Sequence, residues 1–321
     1  MTAPDTLEGI GESATLARIF PRLPMAAAQI LGPGDDSALV AAPDGRFVVT
    51  TDMMIHGPDF RLAWSTPHDL GWKAAASNLS DVAAMGAVPT ALVVAIAAPA
   101  DSPVSLLEGI ADGLRDACEA LAPGCGVVGG DLSVSPTLTI AVTAFGDLEG
   151  RSPVRRSGAR VGDTVAVAGL LGASSAALRL LFEEAVDADG NPDAALAAER
   201  RHLTAPQLAP APPIHAGREA ALAGATAMLD LSDGLAKDAA RVAAASGIAI
   251  DFDSSALGDD PRTALHGSED HSLFATFSGE LPVSFRAIGR VVEGEGILVD
   301  GQPLDENGGW DPYEDWNGEA G

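Results

Sequence analysis

The sequence predicts a mixed α/β or α+β fold in two domains, because segments typical of strands alternate with segments typical of helices in both halves of the chain. A chain of 321 residues is long enough for two domains, and its 47% hydrophobic content can supply a real core. Predicted strands cover residues 46–51, 90–97, 125–128, 137–145, 164–168 and 227–231. Predicted helices begin at Thr66 and Ser105 and, farther along, cover 174–185 and 234–245.

The helix at Thr66 has the clearest start in the chain. Thr66-Pro67-His68-Asp69 supplies an N-cap Thr, Pro at the first helical position and an acid at N3, where the acid is most simply a cap. The residues at i, i+4, i+8 and i+11, which share one face of this helix, are Leu70, Ala74, Asn78 and Asp81. Asp81 should therefore lie near the far end, where Ser80 helps to end the helix.

The segments around this helix are assigned from their local composition. Residues 53–65 before it are predicted to form a loop, and Ser105-Leu106-Leu107-Glu108 predicts a capping box for the next helix. The strand at 125–128 is predicted to end where Gly129-Gly130-Asp131 begins. Residues 187–193 alternate Asp and Asn but lack the Gly and Glu of a calcium-binding EF-hand, so they are predicted to form a polar loop.

A stretch rich in Gly, Arg and Ser, residues 148–163, marks a junction between the two halves. We therefore predict an N-terminal domain at 1–148 and a layered C-terminal α/β domain at 149–304. Residues 305–321 form a Gly- and acid-rich tail with interspersed aromatic residues.

The formal charge of −26 argues against nucleic acid or an anionic membrane surface as a partner. A chain this acidic is expected to bind phosphate groups only through metal ions or local positive spots. Cys118 and Cys125 lack metal-ligand spacing and are interpreted as ordinary thiols of a reducing compartment. The apolar run 91–99 is too short to span a bilayer, and no signal peptide is visible, so the protein is expected to be cytoplasmic.

Five short acidic motifs carry the functional signal, because each places Asp beside Gly, Ser or Thr at the end of a predicted element. They are Gly34-Asp35-Asp36, Thr50-Thr51-Asp52, Asn78-Leu79-Ser80-Asp81, Gly129-Gly130-Asp131 and Asp230-Leu231-Ser232-Asp233-Gly234. Mg²⁺ binds carboxylate oxygens together with waters and substrate phosphates. The array therefore predicts several Mg²⁺ ions holding polyphosphate at a phosphoryl-transfer site. The backbone N–H groups of Ser232-Asp233-Gly234, at a strand-to-helix turn, should also favour phosphate.

Other catalytic patterns are missing from the sequence. It contains no Walker loop, no glycine-rich kinase loop with a downstream Lys, no zinc-binding His pattern and no G-x-S-x-G elbow. The few His residues do not count against phosphoryl transfer onto a phosphate, because a phosphate oxygen is already ionised near neutral pH. What remains is the Asp array.

Taken in order along the chain, the motifs resemble the thiamine-monophosphate kinase family, within the superfamily of aminoimidazole ribonucleotide synthetase and selenophosphate synthetase. Beyond the acidic motifs, the resemblance includes Asp69-Leu70-Gly71-Trp72-Lys73, Ala84-Met85-Gly86-Ala87, Arg156-Ser157-Gly158-Ala159 and Arg201-His202-Leu203. It implies transfer of the γ-phosphoryl group of ATP onto thiamine monophosphate, giving thiamine diphosphate. It also implies a homodimer whose N-terminal halves form a shared β-barrel, with the nucleotide near the subunit boundary.

The resemblance also implies roles for individual residues. The ligands of Mg²⁺ would be Asp36, Thr50, Thr51, Asp52, Asp81, Asp131, Asp230 and Asp233. Those expected to be essential for catalysis are Asp36, Asp81, Asp131 and Asp233. The nucleotide would contact Gly130, Asp131, Arg156 and Ser232. The thiamine moiety would contact Glu269 and Trp310, the latter from the tail, with Asp59 also facing the substrate.

The sequence departs from the family pattern near the substrate. Asp59 stands where the family has His, which removes a donor to the substrate phosphate unless His56 or His68 compensates. Ser268 replaces a Gly and would be strained if its φ were positive. Two alternatives therefore stay open: another ATP-dependent synthetase of the superfamily, or a dimer that binds nucleotide or thiamine phosphate without turnover.

Overall fold

The computed structural model describes residues 5–32 and 37–304. In these ranges the helices are α1 Leu7–Ile10, α2 Glu12–Ile19, α3 Pro67–Ala84, α4 Val104–Leu121, α5 Ala173–Glu184, α6 Ala194–Leu208, α7 Ile214–Leu222, α8 Leu235–Ser246 and α9 Pro261–His266, with 3₁₀ turns at Phe20–Arg22 and Ser254–Ala256. The strands are β1 Gln29–Leu31, β2 Leu39–Val40, β3 Val48–Ile55, β4 Val88–Ala98, β5 Val127–Val134, β6 Thr139–Asp147, β7 Thr164–Ala168, β8 Ala227–Asp230, β9 Ala249–Phe252, β10 Leu273–Phe277, β11 Arg286–Val292, β12 Gly296–Val299 and β13 Gln302–Pro303.

The N-terminal half is a four-stranded sheet in the order β3-β6-β4-β5 with helices packed on one face. Only the β4–β5 pair is parallel. Along one row of the sheet, Asp52 pairs with Val142, Val142 with Val94, and Val94 with Gly130. Val94 and Val142 lie in the core with α3 and α4, so this row faces the helices.

The C-terminal half is a seven-stranded sheet in the order β13-β12-β9-β11-β7-β10-β8. Successive residues of a strand point to opposite faces of the sheet, so alternate residues of this sheet pack into two different hydrophobic cores. Ala166 and Ala168 pack with α3 and α7, whereas Val165 and Val167 pack with α8. The sheet is therefore covered on both faces, and one of its cores is shared with the N-terminal half.

The shared core crosses the predicted boundary at 148/149. It joins Leu92 and Val142 of the first half to Met228 and Leu273 of the second. Helix α3 provides much of the contact, because it packs on β3 and β6 on one side and on α7 and β8 on another. The two halves thus pack as one body, with α3 between the two sheets.

Most predicted elements are found, and three of their boundaries are corrected. Strand β3 continues to Ile55, into the region predicted as loop. Helix α4 begins after Pro103 without a side-chain cap, so the predicted capping box at Ser105 is wrong. Its acid, Glu108, instead pairs with Arg18 of α2, at 2.7 Å between Oε1 and Nε.

The third correction concerns the Gly-Gly-Asp motif. Strand β5 runs from Val127 to Val134, so Gly129-Gly130-Asp131 lies inside the strand and not after its end. A Cβ at Gly130 would lie 2.0 Å from the carbonyl oxygen of Val94, so only glycine allows the strand to pair this closely.

Three local predictions are confirmed. The capping box of α3 is complete, because Thr66 and Asp69 each accept the other's backbone N–H. The polar segment 187–193 is a turn in which Asp187 accepts N–H groups from Asp189 and Asn191, both at 2.9 Å. Cys118 and Cys125 are both free, buried thiols.

Within the described residues, no helix is long and apolar enough to cross a membrane.

Candidate active site

Helix α3 and strand β3 bring the first group of predicted ligands together. Thr50 and Asp52 lie on the helix-facing side of β3, and Asp81 lies in the last turns of α3. The hydroxyl of Thr50 donates to Oδ2 of Asp81 at 2.9 Å. Asp230, the last residue of β8, approaches the same place from the C-terminal half.

Burial and mutual repulsion make this group electrostatically unfavourable without cations. Burial, followed by the charges of Asp230 and Asp52, raises the pKa of Asp81 to about 7. Burial also raises the pKa of Asp52, with His271 opposing the shift and Asp230 adding to it. The three carboxylates therefore favour positive charge between them.

Ser80 and His271 support this group and were not singled out from the sequence as site residues. The hydroxyl of Ser80 donates to the carbonyl of Ser77 and lies 3.2 Å from Oδ2 of Asp230. Nδ1 of His271 lies 3.5 Å from the same oxygen. Burial would lower the pKa of His271, but the hydrogen bond to Asp230 and the charges of Asp230 and Glu269 together outweigh burial and raise the pKa. Helix α3 continues to Ala84, so Ser80 does not end it as predicted.

The alternation of strand side chains separates two predicted ligands from the others. Thr51 faces the opposite side of β3, where its hydroxyl donates to the carbonyl of Val142 at 2.9 Å and lies 3.1 Å from the hydroxyl of Thr143. Asp131 is on this outer face as well, in register with Ala95. Three strand spacings put β5 about 14 Å from β3 along the sheet. A single chain thus divides the array between two faces.

A largely apolar cavity of about 770 Å³ extends along β5. Gly129, Gly130 and Asp131 form part of its wall, and α2 and α4 supply much of its apolar lining. The volume is in the range of small-molecule sites in proteins.

The turn at Ser232-Asp233-Gly234 already holds a carboxylate of the chain itself. Oδ2 of Asp238, one turn into α8, accepts the N–H groups of these three residues at 3.0, 3.0 and 3.2 Å. Burial raises the pKa of Asp238 to about 6, although Arg241, which bridges Asp233 and Asp238, opposes the shift. These N–H groups, which the sequence predicted to favour phosphate, therefore already have an acceptor within the chain.

Glu269 is held by two polar side chains from different helices. Its Oε2 accepts from Nζ of Lys73 at 3.1 Å and from Nε2 of Gln207 at 2.5 Å. Burial would raise the pKa of Glu269, but Lys73, Gln207 and His271 together outweigh it and lower the pKa. Lys73 is one of only two lysines in the chain and is itself buried. Ser268 does not have a positive φ and is therefore not strained in this way, whereas its neighbour Glu269 has a φ of 62°.

Asp59 turns toward its own loop, with Oδ2 accepting the N–H of Ile55 at 2.7 Å. Partial burial raises its pKa, and the charge of Glu269 adds to the shift. His68 cannot replace the missing donor, because its Nε2 contacts Asp116 of α4 at 2.9 Å. The ring of His56 packs on Phe60, and its buried Nε2 has no hydrogen-bond partner in the described part of the chain.

The remaining residues of the predicted site and motifs lie away from the group of Asp52, Asp81 and Asp230 or outside the described residues. Arg156 is exposed in the loop before β7 and makes no ion pair with another described residue. Arg201, from the Arg-His-Leu motif, pairs with the buried carboxylate of Asp69, at 2.6 Å from its Nη1 to Oδ2. Asp36 and Trp310 lie outside the described residues.

The carboxylates fit hard cations bound through few protein ligands. Among residues 5–32 and 37–304, no three acidic, His or Cys side chains converge closely enough to hold one ion. Each ion would need water and phosphate oxygens to complete its coordination, as Mg²⁺ commonly does in phosphoryl-transfer enzymes. Asp52, Asp81 and Asp230 have the oxygen ligands and the uncompensated charge that such ions require.

Comparison with known proteins identifies the family of this chain. Residues 34–148 match the family model of the AIR synthase related protein, N-terminal domain. The thiamine-monophosphate kinase of Mycobacterium tuberculosis is 43% identical over 328 residues, which cover 97% of this chain and 94% of the relative.

Solved structures of similar proteins agree over almost the whole length. The thiamine-monophosphate kinase of Stenotrophomonas maltophilia K279a is 31% identical with a TM-score of 0.74, covering 91% of this chain and 96% of that one. AaThiL complexed with AMPPCP and TMP is 33% identical with a TM-score of 0.71, covering 86% and 90%. The fold, the ordered acidic motifs and these similarities together place this chain in the thiamine-monophosphate kinase family.

Proposed function

We propose that this protein transfers the γ-phosphoryl group of ATP directly onto the phosphate of thiamine monophosphate. The observation that carries the proposal is the group of Asp52, Asp81 and Asp230, in which burial, followed by the charges of Asp230 and Asp52, raises the pKa of Asp81 to about 7. A site that gathers carboxylates in this way suits the Mg²⁺ ions that accompany two phosphorylated reactants. The AaThiL complex holds both AMPPCP and TMP, which supports the same pair of ligands here.

Charge and position account for the chemistry required of the chain. Bound Mg²⁺ would neutralise the phosphates and reduce the repulsion between donor and acceptor. Thr50, Asp52, Asp81 and Asp230 would hold the ions from the helix-facing side, with Asp233 at the edge of the group and Asp36 beyond the described residues. No side chain needs to remove a proton, since the acceptor phosphate has a second pKa of about 6 and is ionised at neutral pH.

We propose that the outer-face residues complete the site in a homodimer. The outer face of the N-terminal sheet exposes Val49 and Met53, with 54% and 57% of their surface accessible. A second copy stacked on this face would bury these side chains and form the shared barrel. Thr51 and Asp131 would then lie at the subunit boundary, where they would contact the nucleotide and its metal ions. Gly130, on the helix-facing side of β5, would contact the nucleotide from the adjoining cavity.

Glu269 and Asp59 are proposed to face the thiamine part of the substrate. Both carboxylates lie near Lys73, and Glu269 influences the pKa of Asp59. Because thiamine carries a cationic ring, two neighbouring carboxylates suit that ring better than they suit the substrate phosphate. Arg156 and Ser232 would approach the nucleotide, and Trp310 would cover the substrate.

The test is release of ADP from ATP–Mg²⁺ by the purified protein, with and without thiamine monophosphate, and identification of the product by mass. We expect thiamine diphosphate to appear in step with ADP. ADP release that requires a different acceptor would favour a synthetase of the superfamily. Binding of ATP–Mg²⁺ without turnover would favour a binding protein that has lost activity. The presence of Asp59 in place of His would then be the first cause to test.

A further inference from the structure

The turn that carries Glu269 is held in an unfavourable backbone conformation. Glu269 has a φ of 62° and His271 a φ of 51°, both in the left-handed region that side chains other than glycine rarely adopt. Such strain persists only where surrounding contacts fix it, and it is concentrated at functional sites.

The strained residues face the candidate site from either side of Asp270. Glu269 contacts Lys73 and Gln207, and its N–H donates to the carbonyl of Ser232 at 2.8 Å. Nδ1 of His271 lies 3.5 Å from Asp230, and the N–H of His271 donates to the carbonyl of Leu231 at 2.9 Å. The carbonyls of Leu231 and Ser232, which directly follow Asp230 in the chain, thus hold the turn in place.

Asp270 turns the other way and joins the turn to α5. Its two carboxylate oxygens accept the N–H of Gly172 at 2.5 Å and that of Ser174 at 2.9 Å, at the start of the helix. A carboxylate at a helix N-terminus is stabilised by the free N–H groups and by the helix dipole. This contact anchors the middle of the turn to a 12-residue helix.

We propose that Asp270 is a positioning residue, which uses the N-terminus of α5 to hold Glu269 and His271 in their strained, site-facing conformation. The part of the proposal that concerns substrate binding depends on the proposed function, whereas the mechanical link does not. Without the anchor, the turn can relax to negative φ at both positions, and Glu269 and His271 then leave Lys73 and Asp230.

Hydrogen exchange tests the mechanical link independently of turnover. In the Asp270→Ala variant, the amides of Glu269 and His271 should lose protection. Asp193→Ala is the matched control, because Asp193 caps α6 through two N–H groups at 2.8 and 2.9 Å. Gln207 lies at the far end of α6, about 20 Å along the helix, so the control should leave protection at 269 and 271 unchanged. Protection lost in α5 while 269 and 271 stay protected would overturn the proposal.

Kinetics then tests the consequence for substrate. We expect Asp270→Ala to raise the KM for thiamine monophosphate by about tenfold or more, with a smaller change in the KM for ATP, and Asp270→Asn to be intermediate. The Glu269→Gln effect should be far from additive with Asp270→Ala, because both act through the same carboxylate. Equal kinetics in Asp270→Ala and Asp193→Ala, or strictly additive effects with Glu269→Gln, would contradict the substrate role of Asp270. Loss of amide protection with no effect of Glu269→Gln itself would instead contradict the proposed role of Glu269.

Discussion

At the scale of single residues, the site is defined by which side of a strand or helix each oxygen occupies. Thr50 and Thr51 are adjacent, yet the hydroxyl of Thr50 reaches Asp81 and that of Thr51 reaches the opposite face. The resemblance to the family implied that both are ligands of Mg²⁺, without regard to the side of the strand on which each hydroxyl lies. Lys73 lies within the resembling motif, but its contact with Glu269 spans 196 positions and has no local sequence signal.

Neutralising Asp81 should change stability and activity in opposite directions. The folded-state pKa of about 7 lies above the usual carboxyl value of about 3.9, so the folded protein binds more protons between these limits. Its stability should therefore fall as the pH rises from about 4 to 7. Metal-free Asp81→Asn should escape this loss and be more stable than the parent at pH 8, by at most about 4 kcal/mol.

Urea unfolding of both proteins in a chelator, at pH 4 and pH 8, measures this difference. The gain should vanish at pH 4, while turnover with Mg²⁺ should be nearly abolished in the variant. A loss of stability at pH 8, or near-normal turnover, would contradict the hypothesis that these carboxylates repel one another without cations and hold Mg²⁺ during turnover. Asp187→Asn is the control, because hydrogen bonds from Asn191 lower the pKa of that exposed carboxyl. This variant should therefore lose stability at pH 8, where Asp81→Asn should gain it.

At the scale of elements, the sequence located the capping box of α3 and the turn at Ser232-Asp233-Gly234, but it did not show which backbone N–H groups of that turn already have an acceptor. The capping box of α3 could be predicted because all its atoms lie within four consecutive residues. The Ser232-Asp233-Gly234 turn could be placed between β8 and α8, but Asp238 occupies its N–H groups. That interaction depends on the detailed path of the chain between strand and helix.

Removing Asp238 should open this turn to external anions. Asp238→Ala leaves three backbone N–H groups without their acceptor, which should lower the free energy of unfolding by about 2 kcal/mol or more. Inorganic phosphate should then raise the Tm of the variant more than that of the parent, because it can take the place of the carboxylate. Thermal unfolding in phosphate, compared with sodium chloride of equal ionic strength, measures the effect. Equal phosphate responses in the two proteins would show that the turn collapses.

At the scale of the whole molecule, the exposed part of the outer face of the N-terminal sheet, along β3, predicts self-association. Phe47, Val49 and Met53 each expose more than half of their surface there. Burying an apolar side chain of this size contributes about 1.5–3 kcal/mol, so a continuous face of such residues favours association of two copies.

A charge on this face should separate the subunits. We expect the parent protein to have twice the chain mass of 32.4 kDa in light scattering, and Met53→Asp to shift it toward a single chain. Val283→Asp is the matched control, because Val283 is an equally apolar, fully exposed residue of the C-terminal half. If Asp131 acts at the subunit boundary, the single chain should also lose turnover. A parent protein that is a single chain with full activity would rule out the dimeric site.

The sequence by itself determined the mixture of strands and helices in both halves, the capped helix that carries Asp81 and the family, because these depend on local periodicity, capping residues and ordered motifs. The tertiary structure alone decided which carboxylates meet. Asp81 and Asp230 come together because α3 packs between the two sheets, while Asp131 lies on the other face because β5 continues through its motif. The strained turn at 269–271 and its anchor on α5 were equally inaccessible to sequence, since they depend on contacts between residues almost 100 positions apart. Local signals specify elements, but only the packing of distant elements brings charges close enough to create a site.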